Sequence, residues 1–147
     1  MRLRLSLFGL VAVLAVLASG ATGATVPFKA TLKAPATQPK VNVKWPYSIK
    51  VTDLKGNAIR ATLTAVVIDP LGTAHAIDYG PTGPPNLGPA KPITNWPFKG
   101  TFRDYIIFPE DARLATMLGG LTLRWTVKAK IAGKPYKKIL KRLVKVQ

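Results

Sequence analysis

Between Leu121 and Ile131 apolar and polar residues alternate without a break: Leu121, Leu123, Trp125, Val127, Ala129 and Ile131 against Thr122, Arg124, Thr126, Lys128 and Lys130. A side-chain period of two belongs to an extended strand, and an apolar set this long on one face requires a core to bury it. The segment predicts a central strand with one face inward and one face in water, the usual condition of an antiparallel sheet. The same alternation runs through Tyr47, Ile49 and Val51, and through Ile59, Ala61, Leu63, Ala65 and Val67, until both faces turn apolar at Val66 to Ile68.

Shorter signals fill the rest of the chain. Phe28 to Lys33 alternates as a first strand, and Pro35 and Pro39 then bend the connection before Val41 to Lys44. Asp53-Leu54-Lys55-Gly56-Asn57 reads as a tight turn, since Gly and Asn tolerate the positive φ such turns use. Asp69-Pro70-Leu71-Gly72 ends the following strand, and a short strand is expected around Ala74 to Tyr79. Gly80 to Pro97 carries Pro81, Pro84, Pro85, Pro89, Pro92 and Pro97, a composition that cannot donate a full hydrogen-bond ladder and predicts a long loop. Strand character returns from Phe98 to Phe108 with an irregularity, because the apolar phase changes along it. Pro109 to Leu118 predicts one or two helical turns, with Pro and acids at the start and Gly119-Gly120 at the end. Ala132-Gly133-Lys134-Pro135 then turns the chain into a final strand, Tyr136 to Val146, whose mixed phase suggests a bulge or an edge. The expected fold is all-β: an antiparallel two-sheet sandwich of about seven strands with one short helical turn.

The N-terminus has a different logic. Arg2 and Arg4 precede an apolar run from Leu5 to Ala18, and the small residues Ala18 to Ala24 follow. Basic, then apolar, then small is the order of a secretory signal peptide, and the run is shorter than the roughly 20 residues a spanning helix needs. Residues 1–24 are expected to form this signal, as a helix during export, with retention as an uncleaved anchor the alternative and the only link to a membrane. Residues 25–147 form one domain, placed outside the cell or in its envelope or periplasm. The chain has no cysteine, so disulfides, thiolate metal sites and thiol catalysis are excluded together.

Charge is the strongest compositional signal. Of 22 Lys and Arg, Arg2 and Arg4 fall in the signal, leaving 20 against 6 Asp and Glu, a formal +14 on the exported part. All the acids precede Arg113, whereas Leu121 to Gln147 holds Arg124, Lys128, Lys130, Lys134, Lys137, Lys138, Lys141, Arg142 and Lys145 with no acid among them. If the last two strands pair as a hairpin, Arg124, Lys128 and Lys130 share an outward face, with Lys137 and Lys141 alongside. These nine residues are the candidate binding set for an anionic polymer; the bland alternative is a solvated Lys-rich sheet that confers solubility. Lys outnumbers Arg by 15 to 7, which suits diffuse charge attraction more than bidentate phosphate recognition, and no specific nucleic-acid partner is expected.

The run Tyr47-Ser48-Ile49-Lys50-Val51-Thr52-Asp53-Leu54-Lys55-Gly56-Asn57-Ala58-Ile59 resembles the strand-turn-strand of bacterial immunoglobulin-like domains. Gly100-Thr101-Phe102 opening one strand and Leu123 to Ile131 forming a core strand are similar to the same exported family, including small domains of the FixH and YtkA type. The resemblance spans roughly Phe28 to Val146 and implies an immunoglobulin-like sandwich. The metal-handling members present His and Met clusters; here His75 and, outside the signal, Met117 stand alone, so the resemblance implies no copper role.

Catalytic constellations are thin. His75 lies near Asp69 and Asp78 in sequence, but on one extended strand His75 and Asp78 point to opposite faces, which favours a solvent-facing His. Glu110 and Asp111 are adjacent rather than spaced as a catalytic pair, and the scattered acids make a calcium cage improbable. Trp45 and Trp96, each followed by Pro, are read as plugs at the open ends of a sandwich rather than as sugar platforms. The function expected from the sequence is an exported, non-enzymatic binding or structural module with no cofactor, contacting an anionic envelope polymer or surface. The alternative is an accessory or adhesion domain that docks an envelope protein by sheet-edge pairing, its charge incidental.

Overall fold

The computed structural model describes residues 25–79 and 91–147. The expected signal, 1–24, and residues 80–90 of the expected loop lie outside them. The described chain forms strands β1 (Phe28–Lys33), β2 (Lys44–Asp53), β3 (Arg60–Ile68), β4 (Ala74–Ala76), β5 (Asp78–Tyr79), β6 (Lys91–Pro92), β7 (Trp96–Lys99) and β8 (Thr101–Ile107). A short helix α1 (Ala112–Met117) and strands β9 (Leu121–Ile131) and β10 (Lys134–Val144) follow. The fold is all-β and antiparallel, in several sheets: a three-stranded sheet ordered β1-β2-β8, a five-stranded sheet ordered β10-β9-β3-β4 with β7 also on β3, and the small ribbon β5-β6.

Alternation decides which residues are buried. Leu121, Leu123, Trp125, Val127 and Ala129 of β9 and Ala61, Leu63 and Ala65 of β3 are buried from one sheet, and Phe28, Ala30, Tyr47, Ile49 and Val51 from the other, and all belong to a single apolar cluster. β9 lies between β10 and β3, as its unbroken pattern predicted. Trp125, fully buried, packs against Tyr47 of the other sheet with ring centroids 5.2 Å apart. Its indole N–H finds no hydrogen-bond acceptor among the described residues.

Seven strands have four residues or more, and β4, β5 and β6 are shorter additions. The expected strand around Ala74 to Tyr79 is split at Ile77, whose N–H donates to the Ala65 carbonyl and whose side chain is buried. The expected loop ends earlier than its proline content suggested, because Lys91–Pro92 pairs with β5 and β7 already contains Pro97. Among the described strands β7 pairs with β3 alone, and an edge position of this kind tolerates a residue with no N–H.

The irregularity foreseen between Phe98 and Phe108 is a change of sheet. Gly100, with φ +70°, ends β7 in the five-stranded sheet and starts β8 in the three-stranded one. Its N–H donates to the Ile59 carbonyl at 3.0 Å and its carbonyl accepts from Val51 N–H at 2.6 Å. α1 begins at Ala112, so Glu110 and Asp111 precede it rather than occupy its first turn, and Asp111 makes no side-chain capping bond. β10 starts at Lys134, two residues earlier than expected, and is an edge strand.

Candidate functional site

Register places the cations. In the β9–β10 hairpin Lys128 stands directly opposite Lys137, Arg124 opposite Lys141 and Lys130 opposite Pro135. Directly opposed residues of an antiparallel pair share a face, and the intervening positions Trp125, Val127 and Ala129 are buried. Arg124, Lys128, Lys130, Lys137 and Lys141 therefore all project from the outer face of the five-stranded sheet. The hairpin arrangement expected from the sequence is the one observed.

The other four members of the cationic set do not join them. Lys138 opposes Val127 and Arg142 opposes Leu123, so both belong to the core-facing side of β10. Arg142 donates to the Pro35 carbonyl at 2.6 Å and lies over the Trp45 ring at 5.5 Å, a structural engagement of its charge. Lys134 opens β10 beside the hairpin turn opposite Ile131, and Lys145 follows the strand, its backbone N–H donating to Gln38 Oε1 at 2.8 Å.

Two further cations complete the face. Arg60 of β3 lies opposite Lys99 of β7, and both occupy outward positions because their neighbours Ala61 and Phe98 turn toward the core. The outward parity of Arg60 was visible in the alternating run from Ile59. Its company was not, because pairing with Lys99 depends on the switch at Gly100. Thr62 sits between Lys128 on one side and Pro97 on the other, tying the two halves of the face into one row.

Arg60/Lys99, Lys128/Lys137 and Arg124/Lys141 are thus three like-charged cross-strand pairs on one surface. No Asp or Glu occurs in any of the five strands of that sheet. Facing side chains of this kind have Cβ atoms about 5 Å apart, and direct opposition of like charges destabilises a sheet. One polar contact is made: Lys128 Nζ donates to Asn95 Oδ1 at 3.4 Å, while the Asn95 backbone N–H donates to Thr64 Oγ1. The arrangement offers a flat, one-signed surface that becomes more favourable when an anion lies on it.

Three of the six acids gather elsewhere. Asp69, Asp78, Asp111 and His75 line a cavity of about 450 Å³ between the β3–β4 end and the start of α1. Because the strand breaks at Ile77, His75 and Asp78 reach the same cavity, contrary to the opposite-face expectation for an unbroken strand. His75 is exposed, and its Nε2 donates to Asp69 Oδ2 at 3.1 Å. Asp69 also accepts from Leu71 and Thr73 N–H groups, and these bonds, His75 first, hold its carboxyl below the usual range. Among the described residues no group of three or more His, Asp or Glu is placed to hold a metal ion.

The Trp-Pro pairs divide. Trp45 is buried, edge-on to Phe108 with its N–H donated to the Thr37 carbonyl. Trp96 is half-buried against Tyr79 at 4.7 Å. Tyr47 donates to Asp104 Oδ2 at 3.4 Å, and burial, followed by the charge of Asp104, pushes its phenol pKa well up. No protein-family model matches the chain, and no curated protein matches it either.

Proposed function

We propose that this is an exported, non-enzymatic module of the cell envelope, an immunoglobulin-like two-sheet sandwich that contacts anionic polymers through the outer face of its five-stranded sheet. Export rests on the order of residues in 1–24, and the sandwich on two sheets that contribute to one apolar cluster. The observation that carries the function is the concentration of Arg60, Lys99, Arg124, Lys128, Lys130, Lys137 and Lys141 on one outer face, with no acid in its strands. A surface charged this way repels itself in water and attracts polyanions within a Debye length, about 8 Å at physiological salt.

Docking by strand addition has less support. β10 is the long edge available for it, yet it carries Lys134, Pro135, Lys137, Lys138 and Lys141, the residues that edges use to discourage pairing. The test is retention of the purified protein on isolated cell envelopes across a salt series, for the wild type and for a variant with Lys128, Lys130, Lys137 and Lys141 changed to Gln. Electrostatic attachment falls steeply with salt and collapses in the variant. Retention that ignores both salt and the substitutions refutes the polymer reading and returns edge pairing to first place.

A further inference from the structure

Apolar side chains stand in water at one end of the protein. Along α1, Ala112 is buried, Ala115 packs against the core, and Thr116 donates its hydroxyl to the Val146 carbonyl at 3.1 Å. Leu114, Met117 and Leu118, spaced i, i+3 and i+4, therefore share the opposite side of the helix. All three are more than half exposed, Met117 at 84%. The end of β10 adds to them. Leu143 opposes Thr122 on the outer face of the five-stranded sheet and is exposed as well. A Cβ on Gly120, just after the helix, would stand 3.4 Å from Leu143 Cδ1 and 3.3 Å from Lys145 Cγ. Both side chains thus lie beside the C-terminal end of α1, and the exposed leucine of the strand adjoins those of the helix. Exposed apolar groups gathered in this way mark a surface that meets a partner or a membrane.

Cations flank the patch on the same side of the chain. Lys141, Leu143 and Lys145 are exposed at alternate positions while Val144 and Val146 between and after them are buried, and Arg124 stands opposite Lys141. Of the nearby acids, Glu110 is paired with Arg113 at 3.3 Å, and Asp69 and Asp111 line the cavity described above. We infer that this end of the domain docks on an anionic lipid bilayer. Leu114, Met117, Leu118 and Leu143 enter the boundary of the hydrocarbon, and Lys141, Lys145 and Arg124 meet the phosphates around them. Long lysine stems reach back to headgroup level while their apolar neighbours go deeper. A second copy of the chain is a poor occupant, because it would bring the same cations against Lys141 and Lys145. A protein partner would need carboxylates at fixed points around an apolar centre, whereas a fluid anionic bilayer supplies charge and hydrocarbon wherever the domain lands. The inference rests on the envelope reading for its setting and shares Arg124 and Lys141 with the polymer face. It adds a contact that a bare polymer leaves unmade, the exposed side of α1.

The chain has no cysteine, so single positions can be labelled. Purified protein carrying Met117→Cys with an environment-sensitive fluorophore is mixed with vesicles of equal parts phosphatidylglycerol and phosphatidylcholine, with and without bromine on the acyl chains. The comparison label is placed by Leu54→Cys, at another exposed residue, in the β2–β3 turn at the opposite end of the strands. Emission from position 117 should shift to the blue and be quenched by brominated lipid, while position 54 stays in water. In the protein labelled at 117, Lys141→Gln/Lys145→Gln should raise the lipid required by about tenfold or more, and Lys29→Gln/Lys55→Gln by far less. Leu114→Ser/Leu118→Ser should abolish the quenching and leave binding to soluble polyphosphate, which reads the polymer face, unchanged. A label at 117 that remains in water on these vesicles overturns the inference and leaves the patch to a protein partner. Equal quenching at both positions overturns it as well, because it reports adsorption without orientation. The label reads depth at one residue, so attachment through residues 1–24 does not imitate the expected result, and the bilayer and polymer readings can fail separately.

Discussion

The guanidinium of Arg142 lies 5.5 Å from the ring centroid of Trp45 and donates to the Pro35 carbonyl at 2.6 Å. The contact joins β10 of one sheet to β2 of the other and to the bent segment after β1. In sequence Arg142 is one of a run of equivalent-looking cations; in the fold it is an inward residue whose alkyl stem and charge both have partners. Arg142→Ala should destabilise the protein by about 1–3 kcal/mol, from a lost cation–π contact and an orphaned carbonyl. Lys141→Ala, one residue away on the outer face, should change stability by no more than about 0.5 kcal/mol. Urea unfolding of the two variants checks this, and equal effects would mean that Arg142 is not engaged as described.

That contrast also marks how far the sequence could be read. β1, β2, β3 and β9 were legible because each buries one face, and a period of two states which residues go inward. β10 was less legible: as an edge strand it places Lys138 and Arg142 on its core-facing side, where long stems cover apolar surface while their charged heads reach out. A run of alternating cations therefore hid two different roles, and only register separates Lys137 and Lys141 from them. The opposition of Arg60 and Lys99 was hidden for another reason. Arg60 and Lys99 are 39 positions apart, and their opposition follows from the chain changing sheets at Gly100, a three-dimensional event that local pattern showed only as a loss of phase.

Gly120 provides a test of packing between α1 and β10. It has φ +102°, and a Cβ there would stand 2.6 Å from the Val144 carbonyl oxygen. Gly119 has a similar φ of +114° but open space around it. Gly119→Ala carries backbone strain alone, about 1–2 kcal/mol, whereas Gly120→Ala adds a collision with backbone that cannot rotate away. The second variant should unfold at clearly lower urea than the first. Equal midpoints would mean that the Val144 carbonyl does not press on Gly120.

The Asp53 turn should be acid-sensitive. The Asp53 carboxylate accepts from the Asn57 side-chain amide at 2.9 Å and from its backbone N–H at 2.8 Å, and these bonds lower its pKa from the ordinary 3.8. A folded pKa below the unfolded one means that the native state holds its proton less tightly. The contribution to stability is therefore complete above pH 3.8 and is lost as pH falls through the lowered value. Asp53→Ala should reduce stability at pH 7 and converge on the wild type at the acid end of a series from pH 7 to 2. A constant gap across the series would show that the carboxylate's ionised state contributes nothing to the turn.

The opposed pair Lys128 and Lys137 sets folding against binding. Two ammonium groups facing across adjacent strands repel, and an opposite-charge pair in the same position stabilises a sheet by roughly 0.2–1 kcal/mol. Lys137→Glu should therefore raise the urea midpoint at low ionic strength, with the gain shrinking in 0.5 M salt as screening shortens to a few ångströms. The same substitution places an acid in the middle of a face that otherwise has none. Affinity for an anionic polymer should fall by more than it does for Lys29→Glu, which alters net charge equally from the other sheet. A variant that is more stable yet binds less would identify the repulsion between Lys128 and Lys137 as retained for the ligand. A variant that gains stability and binds as well as Lys29→Glu would leave the outer face with solubility as its only task.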